Sequence, residues 1–133
     1  MELAKVIVER LIEAAQRAQV QAYAPYSKFA VGAAVLGADG RVFLGCNVEN
    51  SSFGLTVCAE RNAVAAALVA GTQPAAVAVV VNGKAVAPCG ACRQVLAEFD
   101  PAMPVVLASA TDGGQRITSL DALLPGAFHF GKS

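Results

Sequence analysis

The sequence has little charge and no long apolar segment, and each shortage excludes a class of protein. Only 15% of its 133 residues are charged, the formal net charge is 0, and there is no basic tract. A chain without a phosphate-neutralising surface is not expected to bind a nucleic-acid polymer. The longest apolar runs, such as 30–38 and 75–81, fall far short of the roughly 20 residues that span a bilayer. The first residues carry charges at helical spacing without an apolar core, which argues against a signal peptide.

The low charge is accompanied by an apolar excess, with 56% hydrophobic residues and a mean hydropathy of +0.54. Large exposed apolar patches are rare on monomers, so we expect the chain to bury surface against copies of itself. Four cysteines without a secretory signal favour a reducing, cytoplasmic location. In such a compartment cysteines are metal ligands or free thiols more often than disulfides. The expected partner is a small molecule.

The chain contains no repeat, linker or low-complexity segment, and we expect residues 1–133 to form a single domain. Apolar periodicity, valine-rich runs and glycine turns predict the element order α-β-β-α-β-α-β-β, followed by a brief helix. The predicted helices cover residues 3–22, 58–70, 90–99 and 120–124, and the predicted strands cover 29–36, 41–48, 76–81, 104–108 and 115–118. This order indicates an α/β fold in which helices pack over a mixed sheet.

Three of the four cysteines stand at the starts of two predicted helices. Cys58 precedes one helix, and Cys89 and Cys92 form a P-C-x-x-C motif at the start of the next. Three thiolates can hold a zinc ion and leave its fourth position open for water, which is the layout of a catalytic site. The helix dipoles favour the thiolate form. Glu60 is not needed as a ligand and is placed to move protons between that water and a substrate, a pattern typical of nucleobase deaminases.

Two other arrangements of these cysteines compete with a catalytic zinc site. The pair Cys89 and Cys92 alone fits a thioredoxin-like redox motif equally well. A structural zinc site would need a fourth protein ligand, and the disfavoured candidates are Cys46, in a predicted strand, and His129, in the C-terminal aromatic tail.

Three thiolates on a divalent ion give the centre a net negative charge, which a nearby cation is expected to offset. Arg61, next to Glu60, is a candidate donor to the sulfurs, and Arg93 is a second candidate.

Several ordered motifs extend this pattern over nearly the whole chain. They are A-P-Y-S-K-F at 24–29, V-G-A-A at 31–34, G-C-N-V-E-N at 45–50, C-A-E-R at 58–61, P-C-G-A-C-R-Q at 88–94 and L-L-P-G-A-F at 123–128. In these motifs the chain closely resembles the short, homotetrameric, zinc-dependent cytidine deaminases. The resemblance implies a three-layer α/β/α sandwich with a five-stranded mixed sheet. It also implies one zinc ion (Zn2+) per chain on Cys58, Cys89 and Cys92, with Glu60 as the acid and base.

The resemblance further assigns residues to a nucleoside. It places Asn47 and Glu49 on the ribose, and residues two apart on a predicted strand do share a face. Phe29 matches a position that stacks near the pyrimidine. The backbone around Ala59 should form a hydrogen bond with the base carbonyl.

Two further aromatic residues match positions that face a neighbouring subunit's pocket in the family. They are Phe128 and Phe53, and Phe53 stands where many relatives have tyrosine. The departure removes a hydroxyl and keeps the aromatic ring.

The resemblance therefore implies hydrolytic deamination of cytidine and deoxycytidine to uridine and deoxyuridine, with release of ammonia, in pyrimidine salvage. A deaminase of a cytosine-bearing antibiotic such as blasticidin shares the zinc motifs and remains an alternative. A non-enzymatic zinc or redox module is the alternative from another class. Asn47, Glu49 and Phe29 favour the nucleoside, and the neutral charge disfavours nucleic-acid editing.

Overall fold

A computed structural model describes residues 2–131. Its helices are α1 (Lys5–Gln19), α2 (Ala59–Val69), α3 (Gly90–Ala97) and α4 (Leu120–Leu123), and its strands are β1 (Val31–Gly37), β2 (Val42–Cys46), β3 (Pro74–Val81), β4 (Pro104–Ser109) and β5 (Gln115–Ser119), with a 3-10 turn at Phe53–Leu55. Within residues 2–131, no helix is long and apolar enough to cross a membrane.

The five strands form one mixed sheet in the order β2-β1-β3-β4-β5. β1 pairs antiparallel with both β2 and β3, and β4 pairs antiparallel with β5. β3 and β4 are parallel, as expected of two strands joined through a helix, here α3. The α/β fold with a five-stranded mixed sheet, expected from the sequence, is confirmed.

Alternation along the central strands divides the core into two layers. On one face, α1 packs through Val8 and Leu11 onto a cluster that includes Ala78 and Val80. On the other face, α2, α3 and α4 cover a cluster that includes Val77 and Val79 of the same strand. The valine-rich run of β3 is therefore buried on both sides, and the molecule has the three layers of an α/β/α sandwich.

Two glycines let the helices approach the sheet closely. A Cβ atom on Gly32 of β1 would lie 1.9 Å from the carbonyl oxygen of Ala15 in α1. A Cβ atom on Gly45 of β2 would lie 2.3 Å from the carbonyl oxygen of Ala59 and 2.4 Å from the amide nitrogen of Ala63. The first turn of α2 therefore rests directly on β2.

Gly45→Ala is expected to destabilise the protein by about 3 kcal/mol, the upper part of the range for overpacking, because the colliding atoms are backbone and cannot rotate away. The free energy of unfolding in urea measures this loss. Gly54→Ala is the matched control, since a Cβ atom there would meet nothing within 4 Å. Equal stability of the two variants would contradict the close approach of α2 and β2.

The predicted second strand is wrong at its C-terminal end. It was expected to run over 41–48, but β2 ends at Cys46, so Asn47 and Glu49 lie beyond the regular strand. The backbone stays extended there because Val48 bridges both Tyr23 and Val57. Asn47 and Glu49 are consequently both buried, while Val48 is exposed. The two polar side chains therefore lie on the same face, as expected, although they are outside the strand.

Candidate active site

The three motif cysteines converge where two helices begin. Cys58 is the N-cap residue of α2, Cys89 is the N-cap residue of α3, and Cys92 lies in the first turn of α3. Their Sγ atoms all lie within 4.8 Å of one another. The Sγ distances are 3.9 Å for Cys58 to Cys89 and 3.5 Å for Cys89 to Cys92.

These sulfur distances fit a metal site better than a disulfide. Four ligands arranged tetrahedrally at about 2.3 Å from zinc place neighbouring sulfurs about 3.8 Å apart. A disulfide needs sulfurs about 2.05 Å apart, and all four cysteines are free. Cys58, Cys89 and Cys92 are thus positioned to bind one metal ion.

The two other candidate ligands are not part of this cluster. The group of metal-binding side chains found within residues 2–131 consists of the three cysteines without Cys46 or His129. Cys46 ends β2, where its carbonyl oxygen accepts a hydrogen bond from Asn62. His129 is exposed in the C-terminal tail. The three clustered cysteines are the ligands that the sequence predicts.

Two of the three thiols have pKa values shifted in opposite directions. Burial raises the pKa of the Cys92 thiol above its usual range. Burial also opposes ionisation of Cys89, but hydrogen bonds from the backbone and the thiol of Cys92 lower the pKa of Cys89 below its usual value. A divalent cation would draw the remaining protons off, because thiols bind metal as thiolates.

Arg61 lies where the sequence predicted a cation. Its Nη2 donates to the Sγ of Cys58 at 3.5 Å. This hydrogen bond is the main cause that raises the pKa of the Arg61 guanidinium. Its Nε atom is buried and has no hydrogen-bond partner within the described chain. Arg93, the second candidate, instead donates to the carbonyl oxygens of Pro88 at 2.8 Å and Leu123 at 2.6 Å.

Glu60 is a buried carboxyl group in the first turn of α2, 4% exposed. Burial raises the pKa of this carboxyl above its usual value. A carboxyl group with a raised pKa is a stronger proton acceptor than an ordinary one, which suits an acid–base catalyst.

A cavity of about 290 Å³ brings two of the cysteines, Cys58 and Cys89, together with Glu60. This volume is at the small end of the range for small-molecule sites, about 300–1,000 Å³. Its wall is largely apolar and is formed by Phe29, Val31, Val79, Val81, Val86, Ala87 and Pro88. Ser27, Asn47, Glu49 and Thr56 supply polar atoms, and Cys58, Ala59, Glu60 and Cys89 complete the lining.

Two polar side chains of the cavity are held by backbone groups of the 26–31 segment. Asn47 donates from Nδ2 to the carbonyl oxygen of Phe29 at 2.8 Å and accepts from the amide of Val31 at 2.9 Å. Glu49 accepts from the amides of Tyr26 and Ser27 at 3.0 and 3.1 Å, and also from the Ser27 hydroxyl. The Ser27 hydroxyl is the main cause that lowers the pKa of the Glu49 carboxyl below its usual value.

The family model of the cytidine and deoxycytidylate deaminase zinc-binding region matches residues 6–108. The chain belongs to this family. Zinc is the metal that the family binds in this region, and Cys58, Cys89 and Cys92 all lie within the matched residues and are positioned to hold one ion.

Curated and solved relatives agree with this membership. The cytidine deaminase of Sporosarcina psychrophila is 50% identical over 124 residues, covering 91% of this chain and 90% of the relative. The cytidine deaminase of Mycobacterium tuberculosis H37Rv is 47% identical over 116 residues, covering 86% and 84%. A crystal structure of the cytidine deaminase from Burkholderia pseudomallei is 54% identical, with a TM-score of 0.86 and coverage of 90% of this chain and 98% of that chain.

Not every residue that resemblance to the cytidine deaminases suggested reaches the cavity of one chain. Phe53 and Phe128 are 77% and 72% exposed and do not line it. Sequence reasoning also gave no role to Ser27, which lines the cavity and binds Glu49. The sequence did contain a signal for this residue, because a serine hydroxyl commonly accepts a hydrogen bond from the backbone amide two residues later. Here the Phe29 amide donates to Ser27 Oγ at 3.0 Å.

Proposed function

We propose that this deaminase-family protein hydrolyses cytidine and deoxycytidine to uridine and deoxyuridine, releasing ammonia, with zinc on Cys58, Cys89 and Cys92. The observation that carries the proposal is the composition of one cavity. It brings a site for a metal, a buried carboxyl group and a pair of hydroxyl-binding side chains within reach of a single small molecule. The relatives that are 47–50% identical over most of the chain are cytidine deaminases.

The reaction replaces the exocyclic amino group of the base with oxygen from water. Bound zinc supplies the Lewis acidity that makes water a nucleophile near neutral pH. Glu60 takes a proton from the attacking water and delivers it to the ring nitrogen N3, which makes C4 electrophilic. Glu60 then takes the second proton of that water, from the hydroxyl now on C4, and passes it to the departing amino group, so that the C4 carbonyl forms and ammonia leaves. Its burial beside the cysteines suits a carboxyl group that must carry protons in both directions.

The free hydrogen-bonding capacity of Asn47 and Glu49 matches a sugar hydroxyl. Asn47 uses one of its two N–H donors and one lone pair on backbone partners, so one donor and one acceptor remain. Three donors occupy Glu49, and since a carboxylate has about four acceptor positions, about one remains. A hydroxyl that donates to Glu49 and accepts from Asn47 is satisfied by both.

The base is held by a ring and a helix terminus. Phe29 is 44% exposed and presents its side chain to the cavity, where it can stack on a pyrimidine. Ala59 begins α2 and lines the same cavity. Amide groups at a helix start have no partner in the helix, so the backbone around Ala59 is suited to donate to the base carbonyl.

We also propose that the active protein is a homotetramer. Phe53 and Phe128 leave large exposed aromatic surface on one chain, and in the assembly each would cover a neighbouring subunit's cavity. Phe53 supplies an aromatic wall there without the hydroxyl of tyrosine. Light scattering should give four times the 13.5 kDa of one chain, and a mass of one chain would refute the assembly. The free cysteines suit a reducing, cytoplasmic location.

Arg61→Ala is expected to weaken zinc binding or lower kcat by about 10- to 100-fold, the usual cost of removing a group that hydrogen-bonds a metal ligand. The reason is the hydrogen bond from Nη2 to Cys58, which offsets thiolate charge. Zinc competition with a chelator and steady-state kinetics measure the two effects. Arg10→Ala, an exposed arginine on α1, is the control. Unchanged zinc affinity together with unchanged turnover would reject this role.

The substrate is tested by comparing ammonia release from cytidine, deoxycytidine and blasticidin. We expect rapid release from the two nucleosides and little from the antibiotic, because Asn47 and Glu49 are matched to a free sugar hydroxyl. Faster ammonia release from blasticidin than from the nucleosides would mean that the antibiotic, and not cytidine, is the substrate. A purified protein that binds no zinc and cycles Cys89 and Cys92 through a disulfide would instead support a redox module.

A further inference from the structure

The turn that precedes β1 wraps around one carboxylate. The amides of Tyr26 and Ser27 donate to Oε1 of Glu49 at 3.0 and 3.1 Å, and the Ser27 hydroxyl donates to Oε2. Glu49 is buried, so its orientation is set by these contacts rather than by solvent. Both carboxylate oxygens are engaged, although no cation pairs with Glu49 among the described residues.

The hydroxyl of Ser27 has a defined direction. The amide of Phe29 donates to Ser27 Oγ at 3.0 Å, so this oxygen acts as an acceptor toward Phe29 and its hydrogen is available for Glu49. Lys28, between them, adopts φ 62°, a left-handed conformation that is uncommon and costly for a residue other than glycine. The strained residue lets the amides on both sides of it close this turn.

The same segment also holds the second hydroxyl-binding side chain. The carbonyl oxygen of Phe29 accepts from Asn47, while its amide donates to Ser27. The backbone of Phe29 is therefore bonded to Asn47 on one side and, through Ser27, to Glu49 on the other. Both polar side chains and the aromatic wall belong to one hydrogen-bonded unit.

We propose that Ser27 is a positioning residue for substrate recognition, which acts through Glu49 by fixing the single acceptor position that the carboxylate offers to a substrate hydroxyl. The proposal rests on the proposed function, in which Glu49 binds the sugar. Charge-assisted hydrogen bonds are short and directional, so the Ser27 hydroxyl selects one arrangement of Glu49. Without the Ser27 hydroxyl, Oε2 of Glu49 loses its hydrogen-bond donor. The carboxylate can then rotate away from the position in which it accepts the substrate hydroxyl.

The test uses steady-state kinetics of Ser27→Ala, Ser27→Thr, Glu49→Ala and the double variant Ser27→Ala with Glu49→Ala. The substrates are cytidine and the three analogues that lack the 2′, 3′ or 5′ hydroxyl. Ser27→Ala is expected to raise the KM for cytidine about tenfold, the lower end of the effect of a hydrogen bond to a charged group, with little change in kcat. Ser27→Thr keeps the hydroxyl and is expected to retain the wild-type KM.

Two further results separate positioning from a general structural role. The penalty of Ser27→Ala should disappear on one analogue, the same analogue on which Glu49→Ala loses its effect. It should also disappear in the Glu49→Ala background, because residues that act through one another are not additive. Thermal unfolding and zinc content check that each variant is folded and loaded.

The proposal is overturned by an unchanged KM in Ser27→Ala, by an equal penalty on all three analogues, or by full additivity with Glu49→Ala. These outcomes are distinct from failure of the proposed function. That failure would be seen in the wild-type protein itself, as absence of cytidine turnover by the zinc-loaded chain.

Discussion

Glu60→Gln is expected to lower kcat for cytidine by about 10⁴-fold or more, the upper end of the contribution of a positioned proton-transfer group. One carboxyl group serves the attacking water, the ring nitrogen and the leaving amino group in turn, so its loss affects each step. Glutamine has nearly the same shape but cannot carry a proton at neutral pH. Zinc content is expected to stay at one ion per chain, because Glu60 is not one of the clustered ligands.

Glu9→Gln is the matched control for this variant, since Glu9 is an exposed carboxyl group on α1. It should retain wild-type kcat and zinc content. If Glu60→Gln retained more than about a tenth of the wild-type turnover, general acid–base catalysis by this residue would be excluded. Loss of zinc in the same variant would instead mean that the carboxyl group takes part in binding the metal.

Cys89→Ser is expected to abolish stable zinc binding and, with it, cytidine turnover. Cys89 supplies one of three sulfurs that lie within 4.8 Å of one another, and two remaining thiolates cannot close a catalytic zinc site. Removing a residue that only hydrogen-bonds a metal ligand typically lowers metal affinity by about 10- to 100-fold, which is the loss expected for Arg61→Ala. The loss of zinc affinity in Cys89→Ser should be larger. Metal analysis after gel filtration and steady-state kinetics measure the two effects.

Cys46→Ser provides the comparison, because Cys46 is the one free cysteine outside the cluster. It should keep one zinc ion per chain and near wild-type turnover. Full zinc occupancy and activity in Cys89→Ser, or their loss in Cys46→Ser, would contradict the ligand set. Cys89 suits this test because its side chain is exposed, so the substitution leaves the core intact.

The metal cluster could be predicted from sequence because each cysteine stands at the start of a helix, a position that the local sequence pattern reveals. Cys58 and Cys89 each cap a helix, and helix starts can be recognised from the change of pattern along the chain. What the pattern could not supply was the packing that brings the two helix starts together, which includes the close approach of α2 to β2 at Gly45. That convergence was inferred from the motifs alone, since three thiolates and a nearby carboxyl group form a catalytic zinc site only when they meet.

Asn47 and Glu49 share a buried face, as the sequence predicts, but they lie just beyond the regular strand. The strand predicted over 41–48 in fact ends at Cys46, and two isolated bridges continue the extended backbone past it. The contact between Ser27 and Glu49 was missed because it joins residues 22 apart in sequence, and propensity and periodicity report only nearby positions. The left-handed backbone conformation of Lys28 could not be predicted either, because lysine is not a residue type that marks this conformation.

The sheet order also lay beyond the sequence pattern. The turn between β1 and β2 predicted their hairpin, and the helix between β3 and β4 accounts for their parallel pairing. The antiparallel pairing of β1 with β3 joins strands that are separated in the chain by β2 and α2, so no local pattern predicts it. Phe53 and Phe128 are exposed on the single chain, so their predicted contacts with a neighbour's cavity stay predictions, as does the single-domain organisation.

Zinc titration of the metal-free protein, followed by the loss of ultraviolet absorbance as cytidine is deaminated, tests the central claim most directly. Turnover should be absent without metal, should rise in proportion to added zinc, and should reach its maximum at one ion per chain. Cytidine turnover by the protein with its zinc removed would contradict the account, as would a chain that binds one zinc ion and leaves cytidine unchanged.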